Sequence, residues 1–155
     1  MTWADFWALI AILEGQATQV NCERLAEELS RRSVPDIVGF AERHAEALYR
    51  LDQERFGTLP VVDLTARYGS PFPQSDDGFL YARCAVVAAG RDVWESVFFD
   101  VDKFVPYTST ERDGEWLLYV PDKAYELAVG EEWDHLTRYS FESCSNLDGW
   151  PHLRD

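Results

Sequence analysis

The chain has 155 residues, of which 46% are hydrophobic and 14% aromatic, and its formal net charge is −14. This composition is sufficient for one packed domain and argues against a globally disordered chain. The charge is uneven, because residues 75–155 carry 17 acids against 7 bases. Such a field repels phosphate backbones and anionic lipids. We therefore expect a protein partner with a basic surface, and neither nucleic acid nor a membrane.

The three cysteines, Cys22, Cys84 and Cys144, are widely separated and lack the short spacing of a metal site. An odd number of widely spaced cysteines fits free thiols in a reducing compartment. The amino-terminal residues lack the pattern of a signal peptide, and the apolar runs are shorter than the roughly 20 residues of a membrane span. We therefore expect a cytoplasmic protein, and the sequence leaves its oligomeric state open.

Three helices are predicted in the first third of the chain from apolar residues that recur at helical spacing. The first begins at Thr2, a capping residue, and ends at Gly15. The second covers residues 21–31. The third begins around Pro35, because proline is tolerated in a first helical turn, and it ends near Leu51.

The region from residue 56 to residue 74 does not give a single prediction. Residues 59–64 fit either a short strand or a buried helical turn. Gly69, Pro71 and Pro73 then mark a loop.

Helices are predicted again from Ser75 onward. Ser75 is the N-cap of a helix with an apolar body over residues 79–89, and Gly90 is its C-cap residue. A further helix carries Trp94.

Residues 100–113 are predicted to be a loop, and a helical pattern resumes over residues 116–129. Pro121 either kinks that helix or begins a separate one. The predicted fold is all-α, a compact single-domain bundle of five to seven helices with an extended C-terminal tail. The one domain spans residues 1–155, with a helical core over 1–130 and a surface-packed tail over 131–155.

The pentapeptide Ser-Asp-Asp-Gly-Phe at residues 75–79 is the first candidate site. As plain structure, a serine N-cap with acids in the first turn satisfies free amides and suits the helix dipole. Alternatively, Asp76 and Asp77 bind a cationic partner group or a divalent cation. Two acids supply too few ligands for a metal, so we expect no metal and no cofactor. Tyr81 is within hydrogen-bonding reach of Asp77, and Arg83 shares a helical stripe with Asp76.

No catalytic set is visible, so we predict no catalytic residues. The three histidines lack metal-ligand spacing, and the nine glycines form no phosphate-binding loop. Trp116, Trp133 and Trp150 lie in or beside acidic segments, which fits either an interface for a basic partner or a tail pinned to the core.

The leading hypothesis is therefore a non-enzymatic acidic protein-binding module, such as a toxin-neutralising immunity protein or a regulatory adaptor. The alternative is an enzyme or a small-ligand or metal binder that uses Asp76, Asp77 and Arg83.

Several short segments occur in a characteristic order over nearly the whole chain: Asp5–Trp7, Asp36–Ile37 with Phe40, Ser75–Phe79, Tyr81–Arg83, Gly90–Trp94, Leu117–Val120, Ala124–Glu126 and Gly130. Together they resemble the domain-of-unknown-function family 4240, a group of small bacterial proteins. The chain departs from that pattern by a longer, proline-containing approach over residues 57–74 and by Cys84.

The resemblance implies a compact, mostly helical domain and supplies no activity. It also implies that the pentapeptide, Arg83 and Trp94 converge on one side of the protein. The candidates for binding a ligand or partner are Ser75, Asp76, Asp77, Tyr81, Arg83 and Trp94.

Overall fold

A computed structural model describes residues 1–112 and 114–154. Most of the regular structure is helical: α1 (Trp3–Ile10), α2 (Gln19–Ser30), α3 (Val34–Leu51), α4 (Glu54–Gly57), α5 (Asp76–Ala88), α6 (Arg91–Val97) and α7 (Val120–Val129). Two strands, β1 (Pro60–Thr65) and β2 (Pro71–Pro73), lie between α4 and α5. Short 3-10 helices cover Ala11–Leu13, Arg67–Gly69, Val101–Lys103, Val105–Thr108, Glu115–Tyr119 and Pro151–Arg154.

Side-chain caps fix where the first three helices begin. The Thr2 hydroxyl accepts from the Asp5 amide at 3.1 Å, and the Asp5 carboxylate accepts from the Thr2 amide at 3.3 Å. This is the reciprocal capping box. Thr18 and Ser33 cap α2 and α3 through their hydroxyls, which accept from the amides three residues further along. The three predicted helices are confirmed, with α2 beginning two residues early.

The prediction of an all-α fold is wrong, because β1 and β2 form an antiparallel two-stranded sheet with Pro60 opposite Pro73. Val61 and Val62 are β-branched and favour an extended backbone. Prolines cannot lie inside a helix without removing a hydrogen bond, whereas a two-stranded ribbon tolerates them at its edges. The fold is helix-rich but mixed.

The last helix resolves the ambiguity at Pro121. A 3-10 helix ends at Tyr119, and α7 begins at Val120 with Pro121 in its first turn. Gly130 ends α7 in the left-handed conformation, at φ 73°. Proline is suited to a first turn and glycine to a C-cap, so a separate helix forms rather than a kinked one.

The hydrophobic core is centred on α5. From Phe79 to Ala88 every residue of this helix except Tyr81 is buried. A helix that is apolar on nearly all sides must be covered on nearly all sides. The elements α3, α6 and the 3-10 helices over Val105–Thr108 and Glu115–Tyr119 pack against α5. The core as a whole includes the buried residues Phe6, Ile10, Leu25, Leu29, Phe40, Leu48, Phe56, Phe104, Leu117 and Ala124.

Residues 131–154 form the C-terminal strap, which runs along α3. Its first part lies against Glu42, whose carboxylate is 2.6 Å from the His135 ring and accepts from the Arg138 amide at 3.0 Å. Further along, Trp150 is only 8% exposed and joins the core. The division into a domain core over 1–130 and a tail over 131–155 stays a prediction.

Candidate functional site: the surroundings of helix α5

The first turn of α5 is built by Ser75. Its hydroxyl accepts from the Gly78 amide at 3.0 Å, which is the predicted N-cap. Asp76 and Asp77 follow in the first turn, and both are exposed to solvent. Carboxylates at this end of a helix face the positive end of its dipole. The two acids therefore support the helix while their charges remain accessible.

Arg83, two turns further along, points inward instead. Its side chain is fully buried. The guanidinium donates to the Leu48 carbonyl at 3.0 Å, to the Phe141 carbonyl at 2.9 Å and to the Ser143 hydroxyl at 3.0 Å. It also lies 4.6 Å from the centre of the Phe79 ring. Burial lowers the pKa of Arg83, and the negative charge of Asp52 acts against that shift.

Asp52 is a functional candidate that the sequence analysis missed. Its carboxylate is fully buried and accepts from the amides of Cys144 (3.0 Å) and Asn146 (2.9 Å) and from the Trp150 indole (2.8 Å). The one available signal was its position directly after α3, since an acid at a helix C-terminus meets the unfavourable end of the dipole. An acid in that place needs compensating donors, and the strap supplies them.

The end of α3 collects donors from three directions. Arg83 donates to the Leu48 carbonyl, Trp94 donates to the Ala47 carbonyl at 3.2 Å, and the Asn146 side chain donates to the Tyr49 carbonyl at 3.0 Å. The last four carbonyls of a helix lack the usual partner within it, so the bond from Arg83 to the Leu48 carbonyl helps to cap α3. The other two bonds add donors to the carbonyls on either side. Arg83 and Trp94 therefore converge on α3 from inside the protein.

The candidates named from the sequence fall into two groups. Arg83 and Trp94 are buried beside α3, whereas Ser75, Asp76 and Asp77 are exposed at the start of α5. The start of α5 meets the strap where the Ser143 hydroxyl donates a hydrogen bond to the Asp76 carbonyl, at 2.7 Å. The aspartate carboxylates and the guanidinium therefore do not share a pocket.

Tyr81 belongs to a surface group of four residues, two exposed and two half-buried, here called the tyrosine–acid cluster: Asp77, Tyr81, Glu115 and Tyr119. The Tyr119 hydroxyl donates to the Glu115 carboxylate at 2.9 Å. Partial burial raises the pKa of Tyr81, and the charges of Glu115 and Asp77 raise it further. The hydrogen bond to Glu115 raises the pKa of Tyr119. Both phenols stay protonated at neutral pH and can donate hydrogen bonds.

An apolar groove of about 180 Å³ adjoins this cluster and is called here the α2–α7 groove. Tyr119 belongs to both features. The groove is lined by Cys22, Ala26, Trp116, Tyr119 and Val120, together with the exposed polar residues Gln19, Glu23 and Lys123. Its size suits one bulky apolar side chain, and the acids beside it suit a flanking cation.

The remaining reactive side chains are shielded. Burial raises the pKa of the Cys84 thiol to about 12 and also raises that of Cys144, so neither is a thiolate at neutral pH. Burial lowers the pKa of His44 to about 3, and its Nε2 has no hydrogen-bond partner among the described residues. Within residues 1–112 and 114–154, no group of three or more His, Cys, Asp or Glu side chains is arranged to hold a metal ion.

In that same part of the chain, no helix combines the length and the apolar composition needed to cross a bilayer. Neither a curated protein nor a solved structure matches the chain. One family model, described as a protein of unknown function, matches residues 1–127. That match covers well over half of the sequence and confirms the resemblance drawn from the pentapeptide and its companion segments. The chain belongs to the DUF4240 family.

Proposed function

We propose that the protein is a non-enzymatic, acidic binding module whose partner is a protein with a basic surface. The partner docks on the α2–α7 groove and the tyrosine–acid cluster. The observation that carries this proposal is the contact between an apolar groove with exposed aromatic side chains and a set of acids. A toxin-neutralising immunity protein and a regulatory adaptor are two forms of such a module.

The groove supplies the anchoring part of the interface. Trp116 and Tyr119 remain 38% and 49% exposed, although both are large aromatic residues beside an apolar depression. A few residues, often Trp, Tyr or Arg, carry most of the binding energy of a protein interface, in pockets that are fully desolvated in the complex. A partner that inserts an apolar side chain between α2 and α7 would bury both rings.

The acids affect how fast a partner associates and which partners are accepted. Glu23 lines the groove, and Asp77 and Glu115 adjoin it through Tyr81 and Tyr119. Lys123 also lines the groove, but its ammonium is paired with the Glu126 carboxylate at 3.3 Å. Exposed acids of this kind raise the association rate with a cationic surface and disfavour acidic partners. The net charge of −14 extends the same field over the whole chain.

The alternative of a small-ligand, metal or catalytic site at Asp76, Asp77 and Arg83 gains no support from these positions. The guanidinium is committed to carbonyl and hydroxyl groups inside the protein, and the two aspartates face solvent. We further propose a cytoplasmic location, since Cys84 and Cys144 form no disulfide, as expected in a reducing compartment.

Affinity capture with the tagged full chain tests the proposal. Capture from native cells at low and high salt identifies a partner, and its dissociation constant is then measured for variants. We expect Trp116→Ala to weaken binding by at least about tenfold, in the range of an interface anchor. The double variant Glu23→Gln with Asp77→Asn is expected to slow association and to reduce its dependence on salt.

Phe99→Ala is the matched control, because Phe99 is an aromatic residue that is 92% exposed and does not line the groove. It should leave the affinity unchanged. A partner that binds equally well to Trp116→Ala and to the control would contradict docking at the groove. A partner held equally at low and high salt would contradict the electrostatic part.

A further inference from the structure

Residues 141–150 of the strap, here called the strap peptide, are held largely through their main chain, as a bound peptide is held. They contain turns but no helix or strand. The rest of the protein contacts their main chain, because Arg83 donates to the Phe141 carbonyl while Asp52 accepts from the Cys144 and Asn146 amides. Binding through main-chain groups, with a few side-chain anchors, is the usual mode of peptide recognition.

Trp150 provides the side-chain anchor. Its indole N–H donates to the Asp52 carboxylate at 2.8 Å, and its ring meets the Phe79 ring edge to face at 6.1 Å. The indole also lies directly on Gly57, where a Cβ would come within 2.5 Å of the ring. Only glycine leaves space for the tryptophan at that position. The pocket and the anchor therefore fit each other closely.

The wall that receives the strap peptide carries two buried charges. Within the described residues, every hydrogen bond to the Asp52 carboxylate comes from the strap peptide. Two of the three hydrogen bonds from Arg83 also go to it. A buried charge that loses its partners is strongly unfavourable. These two side chains are thus arranged for a bound polypeptide and not for an empty cleft.

The two sides of this contact also differ in their place along the chain. Asp52, Gly57, Phe79 and Arg83 lie within residues 1–127, which the family model matches, whereas the strap peptide lies beyond them. The ten residues between Gly130 and the strap peptide can span roughly 35 Å when extended, so the peptide can reach a neighbouring molecule.

We propose that residues 1–130 contain a receptor site for an irregular, turn-containing peptide with a tryptophan anchor, and that residues 141–150 occupy it in cis. A second copy of that segment, supplied in trans, takes its place. Asp52 and Arg83 recognise the main chain, and the pocket at Gly57 and Phe79 recognises the indole.

Binding of a labelled synthetic peptide of residues 138–154 to the intact chain tests this proposal. In the wild-type chain the cis segment competes at an effective concentration of about millimolar, so the peptide binds weakly. Trp150→Ala in the chain removes the competing anchor, and we expect it to bind the peptide at least about tenfold more tightly than wild type. A peptide carrying the same substitution should not bind. Leu153→Ala in the chain is the matched control and should behave as wild type.

A Trp150→Ala chain that melts cooperatively and ignores the peptide would overturn the proposal. If that variant does not fold, a protease site is introduced at residues 131–134 of a chain that keeps Trp150. That chain is then cut at this site. The proposal then expects the cut protein to exchange its own fragment for the labelled peptide below the melting temperature. Retention of the fragment until global unfolding would show that the strap is part of the core and nothing more.

Discussion

Asp52 and the acids of the tyrosine–acid cluster both lie close to α5, but their surroundings differ. Asp52 is buried and accepts hydrogen bonds from the Cys144, Asn146 and Trp150 N–H groups. Asp77, in the tyrosine–acid cluster, is exposed in the first turn of α5. The Asp52 carboxylate is engaged by hydrogen bonds inside the folded protein, whereas the Asp77 carboxylate remains accessible to a partner. Local sequence does not distinguish them, because the donors around Asp52 come from more than 90 residues away.

Replacing the buried acid should have the largest effect on stability. Asp52→Ala leaves three N–H groups of the strap unpaired and Arg83 without a balancing charge. We expect the free energy of unfolding to fall by about 3–5 kcal/mol, as for other broken buried pairs. Chemical denaturation followed by tryptophan fluorescence measures the change.

Asp77→Ala is the control from the exposed group. It removes only a carboxylate near a helix N-terminus, so the loss should stay below about 1 kcal/mol. Equal losses of unfolding free energy for Asp52→Ala and Asp77→Ala would contradict the distinction between the buried and the exposed acid.

His44 extends the comparison to a buried group that has no charged partner. Its pKa is about 3 in the folded protein, against 6.5 for an ordinary histidine. Between these values the unfolded chain binds a proton that the folded chain does not. The free energy of unfolding should therefore fall as the pH drops below 6.5, by up to about 1.4 kcal/mol per pH unit, until about pH 3.

His44→Leu should remove this part of the pH dependence, and denaturation curves at several pH values measure it. Protonation of carboxylates affects both proteins, so the difference between them isolates the histidine. His152→Ala serves as the exposed control, because it leaves the buried His44 and its contribution in place. Parallel pH curves for His44→Leu and wild type would rule out a buried, neutral His44.

The smallest effect is expected at the exposed start of α5. Ser75→Ala removes the hydroxyl that accepts from the Gly78 amide and should cost about 1 kcal/mol of unfolding free energy. Ser75→Asp should restore most of that stability, since aspartate is also a good N-cap. If both substitutions destabilise the protein equally, capping is not the main role of Ser75.

Local features were predictable from the sequence, and long-range ones were not. Thr2, Ser33 and Ser75 each bond an amide three residues away, so their caps follow from a few consecutive letters. Pro121 left two choices, and the structure takes one of them. A strand over residues 59–64 was one of two options for the segment that forms β1, because pairing with β2 depends on a partner that a local pattern does not contain.

Arg83 illustrates why the candidate site was only partly predicted. Residues seven apart share a helical stripe, which placed Arg83 with Asp76 on one face. That reasoning assumes that the stripe has a single environment. In α5 the first turn is exposed and the next turns are covered on nearly all sides, so the same stripe passes from solvent into the core. The Asp52 contacts could not be predicted from the sequence, because their donors belong to the strap.

The sequence of β2 limits how far the two-stranded sheet can be extended by other strands. Val62, Leu64 and Phe72 are exposed on it, which would ordinarily invite other strands to pair. However, β2 reads Pro-Phe-Pro and offers one main-chain N–H, that of Phe72. On the other strand, the Val62 amide already donates to the Thr108 hydroxyl at 3.0 Å. The prolines therefore limit pairing of this sheet with strands of other molecules, even though apolar side chains are exposed on it.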